Sequence, residues 1–151
     1  MSGVGRTARL GERGQALVEF AIVGLAFFIV VFGMIDVGRA VWNYNTLAQA
    51  TREGGRYAIV HGELSSDPSG PGSPHYTPPD EDAKVTETVQ QFGAGLDESR
   101  LTVEAEWPDG SNELGNRVKV TSHYSYAPMF GGLLGLPSVT LTSSSTMEIA
   151  Y

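Results

Sequence analysis

Residues 13–35 read RGQALVEFAIVGLAFFIVVFGMI, and the interpretation of this stretch decides that of the whole chain. Phe20 to Ile35 are sixteen uncharged residues, apolar or small, with Glu19 one step before them. With Ala16 to Val18 and the apolar residues up to Val41, the stretch approaches the ~20 residues, or ~30 Å of helix, that cross a bilayer. Two other readings meet obstacles. A cleaved secretory signal would have the basic start that Arg6, Arg9 and Arg13 supply. Its apolar region, however, is usually about 7–15 residues. Its small-x-small cleavage site would have to be Gly38-Arg39-Ala40, with arginine in the middle. A core helix in so small a chain would keep one polar face toward water, and FFIVVF (27–32) leaves none. The sequence therefore predicts a retained, membrane-spanning helix.

Arginines stand on both sides of this span: Arg6, Arg9 and Arg13 before it, Arg39, Arg52 and Arg56 after it. The positive-inside count is nearly balanced. Asp36 lies three residues before Arg39, where a helix would pair them, and so discounts that arginine. The balance favours a short basic N-terminus inside and the bulk of the chain outside. The helical pattern also outlasts the apolar run. Val37 to Val60 contains no proline, and Ala40, Tyr44, Leu47, Thr51 and Ala58 recur at spacings of three, four or seven. A helix over about 15–60 would run close to 70 Å, of which only half fits a bilayer. Trp42 and Tyr44 fall where an aromatic belt would sit at the outer interface. The outer half is either a plain stalk or, given its small-residue stripe, a helix that leans on another.

Beyond this helix the chain changes character. From Tyr57 to Tyr151 there are four Lys and Arg against thirteen Asp and Glu. Such a surface does not attract nucleic acid or anionic head groups. Residues 61–80, HGELSSDPSGPGSPHYTPPD, read as a Pro/Gly/Ser linker. The spacing then predicts an outer domain over 81–151, with Asp80 capping a helix whose stripe is Val85, Val89, Phe92 and Leu96 and whose end is marked by Gly93 and Gly95. Leu101–Trp107 and Arg117–Tyr126 alternate with a period of two, and a third strand covers Val139 to Tyr151. Antiparallel pairing would set Glu104 and Glu106 near Lys119 and Arg117. The fold class is α+β: a long N-terminal helix, then one helix packed on a three-stranded antiparallel sheet. About 70 residues are near the lower limit for independent stability, so the unit needs a neighbour. The connection PMFGGLLGLP (128–137) is apolar where loops are polar. It either tucks over a helix end or forms a contact patch for a partner or the membrane surface.

Reactive chemistry is hard to find. Cysteine is absent, and His61, His75 and His123 share no spacing that would let two ligate one metal from a helix. No nucleophile elbow, P-loop or zinc-protease signature occurs. Asp109, Asn112 and Glu113 lack the alternating ladder of a calcium loop and read as a solvated turn. The expectation is a protein that is not an enzyme, with no cofactor, metal, nucleic acid or small-molecule substrate.

Gly14-Gln15-Ala16-Leu17-Val18-Glu19-Phe20 resembles the processing site of type IV pilin-like precursors of the Flp, or tight-adherence, subclass. The continuation, Ile35-Asp36-Val37-Gly38-Arg39-Ala40 and then Leu47-Ala48-Gln49-Ala50-Thr51-Arg52-Glu53-Gly54-Gly55-Arg56-Tyr57-Ala58, is similar to the TadE family of minor pseudopilins. The likeness covers roughly Glu12 to Val60; the outer domain matches in style only. One departure is Gly55, where the family pattern would favour alanine. The resemblance implies a basic leader over 1–14, cut between Gly14 and Gln15 by a membrane aspartyl prepilin peptidase. It assigns Glu19 and Phe20 to peptidase recognition and subunit docking. Asp36, Gly38, Arg39, Arg52, Glu53 and Gly54 become family-motif and helix-packing positions. It also implies single-pass residence in the cytoplasmic membrane, possible passage into a pilus, and partnership with other pilins, pseudopilins and Tad assembly-platform proteins. Without cleavage, the same anchor would suit a membrane-tethered extracytoplasmic binding or adaptor module. A membrane-anchored hydrolase would need a reactive constellation that these residues do not supply.

Overall fold

The structure, a computed structural model, describes residues 5–133 and 135–150. Helix α1 runs unbroken over Gly5–Val60, a rod of roughly 84 Å at 1.5 Å per residue. It begins about ten residues before the predicted start, because nothing in GRTARLGERG, without proline, interrupts the ladder. It stops at His61, whose ring Nδ1 donates to the Tyr57 carbonyl at 2.8 Å and whose ring stacks on Tyr57. A donor at this end satisfies one of the carbonyls that a helix C-terminus leaves open.

From Gly14 to Val30 almost every residue of α1 is exposed. Leu17, Phe20, Ile22, Leu25 and Phe27 are all more than 60% exposed. The second half is different. Leu47, Ala50, Thr51, Gly54, Gly55 and Ala58 are buried against the sheet of β3 (Leu101–Glu106), β4 (Arg117–Tyr126) and β5 (Val139–Glu148). This sheet is antiparallel in the order β3-β4-β5, with Ala105 opposite Val120 and Val120 opposite Ser145. Helix α2 (Ala83–Phe92) lies beside α1 and over β3. The neighbour that the small α+β unit needs is thus supplied by the outer half of its own long helix. Of the predicted α1 stripe, Tyr44 turns outward at 46% exposed.

Two cores result. Ala50, Ala58, Val85, Val89, Val103, Ala105, Trp107, Val118, Val120 and Ile149 form the larger. Leu47, Leu96, Tyr124 and Tyr126 form the other, nearer the bare half of α1. The crossing of α1 and α2 is close: a Cβ on Gly54 would stand 2.5 Å from Val89 Cγ2. Phe92, predicted on the buried stripe of α2, is 48% exposed, because the helix ends there at Gly93.

Residues 61–82 fold over the far end of this unit. They carry a two-residue ladder, β1 (Tyr76–Thr77) with β2 (Glu81–Asp82), and a buried Ser69. Gly70 adopts φ +84°, and a side chain there would run into the Trp107 indole. The cap of α2 is Asp82, not the predicted Asp80: its carboxylate accepts from Lys84 N and Val85 N at 3.0 and 3.2 Å and from Gly70 N at 2.8 Å. Asp80 cannot serve, because its carbonyl takes the Ala105 N–H and Glu81 and Asp82 are already paired as a strand. Asn112, predicted in a solvated turn, is buried and donates to the Ser69 carbonyl at 2.8 Å.

The cross-strand charges are shared out differently from the alternation's prediction. Lys119 does meet Glu106, at 3.2 Å. Arg117 turns to Asp109 in the β3–β4 turn, at 2.8 Å, and Glu104 faces His123 at 3.9 Å.

Candidate functional site

The residues singled out by the sequence lie at three separate levels of α1. Gly14, Gln15, Glu19 and Phe20 are exposed toward its N-terminal end, and Gly14 has open space around its Cα. Glu19 and Asp36 are seventeen positions apart, about 25 Å along the axis. Gly38 and Arg39 are exposed, and Gly38 has no neighbour within 4 Å of an added Cβ. In the domain proper, Arg52 is exposed, Glu53 lies 3.7 Å from Arg56 and Gly54 is sealed under Val89.

Asp36 is the position at which the bare half of α1 becomes the packed half. The expected pairing with Arg39 is replaced by a different set of partners. One carboxylate oxygen accepts the Met129 N–H at 2.9 Å, and the other accepts Phe130 N–H at 3.0 Å and Gly131 N–H at 2.8 Å. These are the first turn of a short helix, α3 (Met129–Leu133), which follows Ala127 and Pro128. Neither residue has a capping oxygen, so the orphan N–H groups take a carboxylate from across the fold. The Tyr126 hydroxyl completes the junction by donating to the Asp36 carbonyl at 2.9 Å.

Next to this polar knot is an apolar one. Phe32 and Phe130 stack with ring centroids 4.2 Å apart and 7° between planes, and Phe28 stacks on Phe32 in turn. The 128–137 connection therefore docks on α1 itself, not over the end of α2. Between the two lies a groove of ≈ 640 Å³ walled by Leu25, Phe28, Ile29, Phe130, Leu136 and Leu141, among others. Asp36 is the one ionisable acid in its wall.

The helix is long and apolar enough to cross a membrane, and its most apolar window is wholly unburied. An acid at the edge of that window and a tight glycine crossing further on belong to one continuous segment. Residues 14–56 match the TadE-like protein family. The TadE-like segment starts at Gly14 and ends within α1, so it includes Glu19, Asp36 and Gly54 and none of the sheet. The family is structural and pilus-related. No curated protein matches the chain, and no solved structure matches it.

Sequence reasoning missed the partner of Asp36. The signal available was the PMFGG run itself, a helix start with no cap of its own. It also missed Asp82 as a three-way acceptor, since DED offers three equivalent acids until the fold selects one.

Proposed function

We propose that this chain is a membrane-anchored minor pseudopilin, a structural component for assembly of a Flp/Tad type IV-like pilus or secretion machine. It crosses the cytoplasmic membrane once, with its N-terminus on the cytoplasmic side and its acidic domain outside. A prepilin peptidase cuts between Gly14 and Gln15, and its partners are other pilins, pseudopilins and platform proteins. The observation that carries this reading is where the TadE-like match begins: at Gly14, the glycine of the processing motif. It supports the reading further that Gln15 to Phe20 are exposed, so that nothing in the fold stands between them and a peptidase or a neighbour.

Cleavage would leave a new amine on Gln15, about one helical turn before Glu19. An acid in a membrane helix costs on the order of 2.5–3.5 kcal/mol at the centre of the span, and less near its end. A neighbouring subunit's amine offsets that cost only when the two helices are in register, so the pair selects correctly docked subunits. The test is to express the full chain with a prepilin peptidase in bacterial membranes and read the N-terminal sequence and mass. A start at Gln15 supports the proposal. An intact leader overturns the processing step and leaves a tethered module, and a start at Val41 makes the chain an ordinary secreted domain.

A further inference from the structure

The domain is acidic, yet the face it turns toward the bare half of α1 carries no charge. From Ala127 to Thr140 there is no Asp, Glu, Lys or Arg. Within that stretch Met129, Leu136 and Val139 are 59, 57 and 53% exposed. Such residues scattered over a water-facing surface would mean little; here they are contiguous with the apolar groove.

Their level along α1 is fixed by a contact. Phe130 stacks on Phe32, and Phe32 lies inside the apolar run, four residues or about 6 Å before Asp36. If Phe20 to Ile35 stand in hydrocarbon, Phe130 stands at the depth of the outer acyl-chain boundary. A non-helical segment can enter that layer only if its backbone polar groups are satisfied within the protein. This one meets that condition at six amides. Asp36 takes the N–H groups of Met129, Phe130 and Gly131. Gly132 N–H goes to Pro128 O, Gly135 N–H to Gly132 O and Leu136 N–H to Gly131 O.

Helix length points the same way. Sixteen residues from Phe20 to Ile35 make about 24 Å of apolar helix, short of the ~30 Å hydrocarbon core. Asp36 would end the lipid-facing surface there if it faced outward. Beneath α3 it is only 8% exposed, and apolar surface continues on to Val37 and Val41. Arg39, with its long stem, can reach the head groups from the same level.

We infer that the α3 loop is a membrane wedge: Met129, Phe130 and Leu136 sit in the outer leaflet, and a lipid acyl chain fills the groove between α3 and α1. Asp36 holds the wedge in place by satisfying its amides. This rests on the membrane-spanning reading of α1, and the test separates the two.

The chain has no cysteine, so single spin labels can be placed on the full-length protein in phosphatidylcholine nanodiscs. Phe28→Cys reports the span, and Met129→Cys and Leu136→Cys report the wedge. Leu114→Cys, 63% exposed in the β3–β4 turn, reports water. Val139→Cys replaces either wedge site if a label there disturbs the near-ultraviolet circular dichroism. Collision with molecular oxygen, which partitions into lipid, is compared with collision with a neutral nickel chelate, which does not. The expected oxygen-to-chelate ratio at 129 and 136 exceeds that at 114 several-fold and lies below that at 28, which is a helical turn deeper. A ratio at 129 and 136 equal to that at 114, with 28 in lipid, overturns the wedge alone. A water-like ratio at 28 overturns the spanning reading itself. Shielding from both reagents, with spin–spin broadening that grows with protein-to-lipid ratio, assigns the groove to a second copy and overturns the lipid assignment.

Discussion

The Asp36 carboxylate accepts the Gly131 N–H at 2.8 Å across 95 positions of sequence, joining the end of the apolar helix to the outer domain. Met129 and Phe130 donate to the same group. Charge-assisted bonds of this kind are about twice as strong as neutral ones. The consequence is a rigid joint rather than a free stalk.

Removing that carboxylate should loosen the joint first and the sheet second. Asp36→Ala leaves three amides without an acceptor, and Asp36→Asn keeps one acceptor oxygen. Hydrogen exchange at residues 129–131 in nanodiscs is expected to speed up in the order wild type, Asp36→Asn, Asp36→Ala, while β3 and β4 remain protected. Unchanged exchange at these amides in Asp36→Ala would contradict the role given to this residue.

Adjacent glycines in α1 should respond oppositely to alanine. At Gly54 the new Cβ would stand 2.5 Å from a branched side chain on α2, and overpacking of this kind costs about 1–3 kcal/mol. Helix propensity returns up to about 1 kcal/mol, so Gly54→Ala should destabilise by roughly 1–2 kcal/mol. At Gly55 the nearest atom is the flexible Met147 sulfur, at 3.4 Å. There the propensity gain of about 0.5–1 kcal/mol is expected to prevail. Denaturant unfolding of both variants in detergent reads the signs, and equal signs would mean that the α1–α2 crossing is looser than the structure has it.

Acid should weaken the turn between β3 and β4. Arg117 donates side-chain and backbone N–H groups to Asp109, which holds that carboxyl at about 2 against the usual 3.8. A carboxyl whose folded value is depressed stabilises the fold above its unfolded value, and the contribution disappears as pH falls through the folded one. The stability gap between wild type and Asp109→Asn should therefore be full above pH ~4 and close toward pH ~2. A gap that stays constant over this window would exclude the pair as its source.

Glu19 is expected to matter to assembly and not to folding. Glu19→Gln and Glu19→Leu should leave membrane insertion and domain stability as they are, since Glu19 is exposed on the bare half of α1. Processing at Gly14 or incorporation with partner pilins should be lost. Membrane fractionation, together with the mature mass, checks both halves, and normal assembly of either variant removes the docking role.

Local rules served the regular elements well. The period of two in Leu101–Glu106 and Arg117–Tyr126 placed two strands, and Gly93 ended α2 as composition predicts. They failed where equivalent local candidates compete. Asp80, Glu81 and Asp82 are interchangeable as caps until Gly70 turns its N–H toward Asp82. Gly70 itself, amid prolines and serines, gives no local hint that it packs against Trp107.

What the sequence determined by itself is everything that depends on neighbours within a turn or a strand: the apolar run, the long helix and the alternating strands. Their warrant is periodicity and transfer free energy, and both are local. Only the tertiary structure decided that the outer half of α1 is the central helix of the domain and not a stalk. It alone decided that Asp36 reaches residues 129–131, and that Gly54, not Gly55, is the tight glycine. Those outcomes hang on contacts between segments 30 to 95 positions apart. Such contacts exist only after the sheet has set where each segment lies.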